Sequence, residues 1–91
     1  RESIGRYNFT KAFIGTNGIS LGHGYTTPDI EEAFIKSLAI DHSYVSYVLA
    51  DSSKFGKVSA VTIASLDKAC ILTDRLPDAS YCKQTLVKEV D

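Results

Sequence analysis

The chain has 91 residues, 44% of them apolar, and a formal net charge of −1, which fits one small domain with a modest core. The basic residues Lys11, Lys36, Lys54, Lys57, Lys68, Lys83 and Lys88 are scattered; this excludes a clustered nucleic-acid footprint within this chain, and no stretch reaches the ~20 apolar residues of a membrane span. Cys70 and Cys82 have neither zinc-type spacing nor a CxxC pattern, so no metal site is expected, and Cys70, inside an apolar run, reads as a small buried thiol.

The first residues, Arg1-Glu2-Ser3-Ile4-Gly5, contain no initiator Met and no signal-like apolar stretch, and the chain holds no Met at all. An excised piece of a longer, cytoplasmic protein is expected, with a Met-poor native domain as the alternative. Lys11-Ala12-Phe13-Ile14 reads as a buried strand that ends at Gly15-Thr16-Asn17-Gly18, where Asn17 and Gly18 would permit the left-handed backbone of a tight turn. Gly22-His23-Gly24 continues as an irregular loop. A helix then starts with Thr27 as N-cap, Pro28 at its first position and Asp29, Glu31 and Glu32 at the positive end of its dipole. Its inward face is expected to carry Ile30, Ala33, Phe34, Leu38 and Ala39, and it should end near Ala39. Tyr44 to Ala50 is a second strand by residue preference. Val58 to Ile63 is a short strand or an extended piece, and Ala69 to Thr73 a third apolar strand. Pro77 and Asp78 open a last helix, Ala79 to Val87, with Tyr81, Leu86 and Cys82 toward the core. Val90 is a candidate start of another strand. Continuous apolar strands alternating with helices predict an α/β fold, a parallel sheet covered by helices.

Three of these strands end in polar residues: Gly15 to Gly18, Asp51 to Lys54, and Thr73-Asp74. In a parallel sheet such ends share one edge, where α/β proteins bind ligands. Lys54 suits an anion, Asp51 accepts from hydroxyls, Ser53 donates and accepts, and Thr16 and Asn17 offer side-chain and backbone hydrogen bonds. Capped turns with solvated charges account for the same residues without a ligand. Glu31 and Glu32 are already explained by the helix dipole. Asp41-His42-Ser43, adjacent in sequence at a helix-to-strand turn, are not a nucleophile arrangement, and His23 between two glycines reads as an exposed loop histidine.

The chain resembles the C-terminal effector domain of DeoR-family transcriptional regulators. The matching stretches are Ala12-Phe13-Ile14-Gly15-Thr16-Asn17-Gly18-Ile19-Ser20, Gly24-Tyr25-Thr26, Glu31-Glu32-Ala33 with Lys36, Leu49-Ala50-Asp51-Ser52-Ser53-Lys54-Phe55-Gly56 and Ile71-Leu72-Thr73-Asp74, in order from about Tyr7 to the end. The resemblance implies a bacterial cytoplasmic repressor of sugar metabolism, homo-oligomeric, whose effector is a phosphorylated sugar. It also implies a three-layer αβα fold like those of ribose-5-phosphate isomerase, glucosamine-6-phosphate deaminase and the CoA transferases. Residues 1–91 would be the C-terminal part of the effector domain. The winged helix-turn-helix that binds operator DNA, and a Gly/Ser/Thr-rich phosphate loop, would belong to the rest of the polypeptide. The ligand contacts expected are Gly15, Thr16, Asn17, Gly18, Asp51, Ser53, Lys54 and Asp74. No cofactor, metal or membrane contact is implied. The isomerases of this fold carry a catalytic Lys-Gly-Gly-Gly-Ala loop where this chain has Ile14-Gly15-Thr16-Asn17-Gly18, so no catalysis is expected. An isomerase-like enzyme fragment and a ligand-free oligomerisation domain stay open as alternatives.

Overall fold

A computed structural model of the protein describes residues 8–90; the opening Arg1 to Gly5 stretch lies outside the described residues. In chain order the elements are β1 (Phe9–Gly15), β2 (Gly18–Ser20), β3 (Gly24–Thr27), α1 (Ile30–Asp41), β4 (Ser43–Leu49), β5 (Val61–Ala64), β6 (Cys70–Thr73) and β7 (Val87–Glu89). Short 3-10 turns cover Ser52–Lys54, Leu66–Lys68 and Ala79–Lys83. A four-stranded parallel sheet has the order β1-β4-β6-β7, and a three-stranded antiparallel sheet the order β2-β3-β5.

One register row of the parallel sheet places Ile14, Val48, Ile71 and Val87 opposite one another. Val48 and Ile71 are fully buried, and burying such a side chain contributes about 1.5–3 kcal/mol. Ala33 and Ile40 of α1, with Ile19, Tyr25 and Ile63 of the antiparallel sheet, close over the same face. On the opposite face Phe13, Val45 and Leu49 remain exposed, and Phe13 stacks on Tyr47 at 5.2 Å between ring centroids. The architecture is α/β, with the parallel sheet and a helical layer of a three-layer αβα fold.

The structure departs from the expectations in several places. Asp29, not Thr27, caps α1, its Oδ1 accepting from the Glu31 amide at 2.8 Å. Thr27 is instead fully buried in β3, its hydroxyl donating to Asn17 Oδ1. The helix continues to Asp41 because Ile40 reaches the core, while Ile30 and Phe34 stay largely exposed. The expected turn at Thr16-Asn17 and the loop at Gly22-His23 are present, but Gly18–Ser20 and Gly24–Thr27 on either side of the loop pair as the short strands β2 and β3. Neither Asn17 nor Gly18 has a positive φ; among the described residues only Gly24 and Gly56 do. The glycine at position 18 is a matter of space, since a Cβ there would lie 2.3 Å from the Lys57 carbonyl oxygen.

The expected last helix is a 3-10 turn, Ala79–Lys83, followed by β7. Tyr81 does turn inward, but Leu86 and Cys82 are exposed, and Cys70 is only half-buried. Thr85 donates its hydroxyl to the Ala69 carbonyl, and the Ile71 amide donates to the Leu86 carbonyl at 2.9 Å. These sheet contacts draw the segment after Lys83 into extended backbone, overriding its local helical pattern.

Candidate functional site

β1, β4 and β6 run parallel, so Gly15, Leu49 and Thr73 end at one edge of the sheet. The polar segments that follow are tied together. The Ser52 amide donates to Asp74 Oδ1 at 2.8 Å, and the Arg75 amide donates to the same oxygen at 2.9 Å. The loops after β4 and β6 are thereby latched across 22 residues of sequence. Asp51 caps the 3-10 turn, its Oδ1 accepting from the Ser53 amide at 2.9 Å and from the Ser53 hydroxyl. Those hydrogen bonds, with Lys54 and Lys57 nearby, hold the Asp51 carboxyl below its ordinary value. Downstream, the Gly56 amide donates to the Ile19 carbonyl at 2.7 Å, and Phe55 packs edge-on against Tyr81. The Tyr81 hydroxyl donates to the same Ile19 carbonyl.

The residues expected to bind ligand divide into two groups. Gly15, Asn17, Asp51 and Ser53 are exposed at this edge, and Lys54 is half-buried there. The Lys54 ammonium forms no hydrogen bond or ion pair with the described residues. Thr16, Gly18 and Asp74 have structural duties, and so in part does Asn17, whose Oδ1 accepts from the Thr27 hydroxyl and whose amide donates to the Thr26 carbonyl. The Thr16 hydroxyl lies against the carbonyls of Gly18 and Thr26, at 3.0 and 2.9 Å, and its residue is buried. Gly18 gives way to the backbone of Lys57. Asp74 is the latch between loops.

Ser52, like Ser53 a donor and acceptor by residue type, turns its amide to the Asp74 latch, and one further group of this edge was not legible. That group is Lys36 of α1, whose ammonium donates to the Gly15 carbonyl at 2.8 Å. The i,i+4 spacing of Glu32 and Lys36, an ion pair at 3.4 Å, was legible, but it signals only helix stabilisation. Clefts of about 310 and 330 Å³ lie elsewhere, one beside Tyr44, Asp67 and Cys70 and one beside Leu21, His23 and Gln84. Among the described residues no group of three or more His, Cys, Asp or Glu side chains converges as a metal would require. His42 and Ser43 end α1, the Ser43 hydroxyl donating to the Ala39 carbonyl at 2.6 Å. No described helix is long and apolar enough to cross a membrane. Chemically, the edge offers the Lys54 and Lys57 cations, hydroxyl groups, and a carboxylate whose second oxygen is uncommitted among the described residues.

Residues 1–75 match the family described as the DeoR C terminal sensor domain. The HTH-type transcriptional regulator FruR of Bacillus subtilis, itself described as uncharacterized, is 42% identical over 97% of this chain and 36% of its own length. The HTH-type transcriptional regulator IolR of the same organism is 39% identical over 86% of this chain and 32% of its own length. A lactose phosphotransferase system repressor of Staphylococcus epidermidis is 36% identical over 80% of this chain and 29% of its length. The chain spans about a third of the length of these relatives.

Proposed function

The chain belongs to the DeoR C-terminal sensor-domain family, and on that premise we propose that it is the effector-binding part of a transcriptional repressor of sugar metabolism that senses a phosphorylated sugar. The observation that carries the proposal is the carboxyl edge itself. The ends of β1 and β4 bring Gly15, Asn17, Asp51, Ser53 and Lys54 to one open rim, to which the end of β6 adds Asp74, and the Lys54 ammonium there forms no hydrogen bond or ion pair with the described residues. A cation at an open rim suits a phosphoryl group, and the second carboxylate oxygen of Asp51 and the side-chain NH2 of Asn17 suit sugar hydroxyls. In this role Thr16, Gly18 and Asp74 shape the rim and contribute backbone groups. Operator DNA would be bound by a helix-turn-helix elsewhere in the polypeptide, as the names of the relatives suggest, and the setting would be cytoplasmic.

The protein would sense its sugar without converting it. Glu31 and Glu32 lie in the first turn of α1, where the dipole accounts for them, and no lysine stands in the Gly15–Gly18 segment. The exposed Phe13, Val45 and Leu49 support an oligomer, because parallel sheets are normally covered on both faces. Calorimetric titration of the intact protein with a panel of pentose and hexose phosphates tests the sensing role. Binding by none at millimolar concentration would favour a ligand-free oligomerisation domain, and turnover of any would favour an enzyme. Sedimentation of the intact protein as a monomer at micromolar concentration would remove the oligomer.

A further inference from the structure

Lys36 is conspicuous because its role is not met by the helix that carries it. Its side chain is 23% exposed and reaches 21 residues back to the Gly15 carbonyl, at 2.8 Å. Its other contact, Glu32 Oε1 at 3.4 Å, comes from a side chain that is 55% exposed, a type of pair that contributes little by itself. Gly15 is the last residue of β1 and the first of the polar rim. A Cβ at Gly15 would meet nothing within 4 Å, and its φ is not positive, so this peptide stands open to an approaching ligand. The two segments that follow are pinned. Asn17 donates its amide to the Thr26 carbonyl at 3.0 Å, and Thr16 is held by its hydroxyl. Upstream, β1 is fixed by its ladder with β4. The Gly15 carbonyl lies between these supports, and the ammonium of Lys36 holds it.

We propose that Lys36 is a positioning residue of the effector site: its ammonium, carried on α1, fixes the Gly15–Thr16 peptide so that the rim of β1 meets the ligand in one orientation. This rests on the carboxyl edge being the site for a phosphorylated sugar. It adds a residue from outside the three strand-end loops, and it couples α1 to ligand affinity.

The test uses the intact protein with Lys36→Met, Lys36→Arg and Glu32→Gln variants. The probes are ribose 5-phosphate, glucose 6-phosphate, fructose 6-phosphate and inorganic phosphate, titrated calorimetrically beside thermal denaturation. Nitrogen-15 spectra of the free protein follow the Thr16 amide, whose peptide the Gly15 carbonyl belongs to. Lys36→Met should weaken binding about tenfold or more, because the peptide that meets the ligand is no longer held in one orientation. It should also shift the Thr16 amide resonance and lower the melting temperature by several degrees at most, too little to unfold the protein under the conditions of the titration. Lys36→Arg should restore most of the affinity, and Glu32→Gln should retain it. Unchanged affinity in Lys36→Met, or a Thr16 resonance that does not move, would overturn the role of Lys36 while leaving the site itself standing. A wild-type protein that binds none of the probes would overturn the site and this role together.

Discussion

Gly15 and Gly18 bracket one turn of the candidate site, yet the structure gives them opposite tolerances. A methyl group at Gly18 would lie 2.3 Å from the Lys57 carbonyl oxygen and 2.8 Å from Thr26 Oγ1. Non-bonded carbons settle at about 3.5–4.0 Å, so β2 or the 56–58 loop would have to move by about 1 Å. Neither moves freely. The Gly56 amide is tied to the Ile19 carbonyl at 2.7 Å, and Thr26 Oγ1 accepts from the Ser59 amide at 2.9 Å. Overpacking typically costs about 1–3 kcal/mol, and with backbone as the obstacle Gly18→Ala belongs near the upper end. For a domain of this size that lowers the melting temperature by about 10–20 °C. Gly15→Ala is the matched control, because its Cβ meets nothing within 4 Å; it should shift the melting temperature by no more than about 4 °C. Scanning calorimetry of the two variants beside the wild type decides the matter. If Gly18→Ala melts within about 4 °C of the wild type, the 56–58 loop is not the fixed wall described here. If Gly15→Ala proves the more damaging, the turn is held differently.

Three further outcomes are expected. Lys54→Ala should weaken sugar-phosphate binding about ten- to a hundredfold while leaving thermal stability nearly unchanged; equal affinity by titration would make Lys54 a turn residue only. Tyr25→Phe should lower stability by about 1–2 kcal/mol in urea denaturation, because the fully buried Tyr25 hydroxyl lies 3.0 Å from both the Leu66 and Ala69 carbonyls; an unchanged midpoint would mean those carbonyls find other donors. Asp51 should titrate below the usual ~3.9 for aspartate, because the Ser53 hydrogen bonds favour its charged form. A depressed folded-state value stabilises the loop above the unfolded pKa, and that stabilisation is lost as the pH falls through the folded value. Carboxyl carbon-13 shifts should show this midpoint rising in Ser53→Ala, and a wild-type midpoint at the ordinary value would refute the cap.

What depends on local pattern was legible in the chain alone. The apolar runs around Ile14, Val48 and Ile71 could only be buried strands, and their abrupt polar endings at Gly15, Asp51 and Asp74 marked the edge on which a site would lie. The acidic first turn with Glu31 and Glu32 located the start of α1 to within a few residues. Tertiary structure decided what depends on partners distant in the chain. Strands as short as β2 and β3, of three and four residues, carry too little periodicity to be recognised, and they pair, with β5, because Tyr25 and Ile63 are drawn into a shared core. The segment after Lys83 has a helical pattern, but the Ile71 amide and the Ala69 carbonyl stood ready to bond extended backbone there. The same holds at the rim. The residue types were plain, whereas the division of labour was set by hydrogen bonds spanning roughly twenty residues: Lys36 to Gly15, Ser52 to Asp74, and Thr16 to Thr26 across ten. A side chain's type is written in the sequence; which of its donors and acceptors are already spent is settled only when the chain has folded.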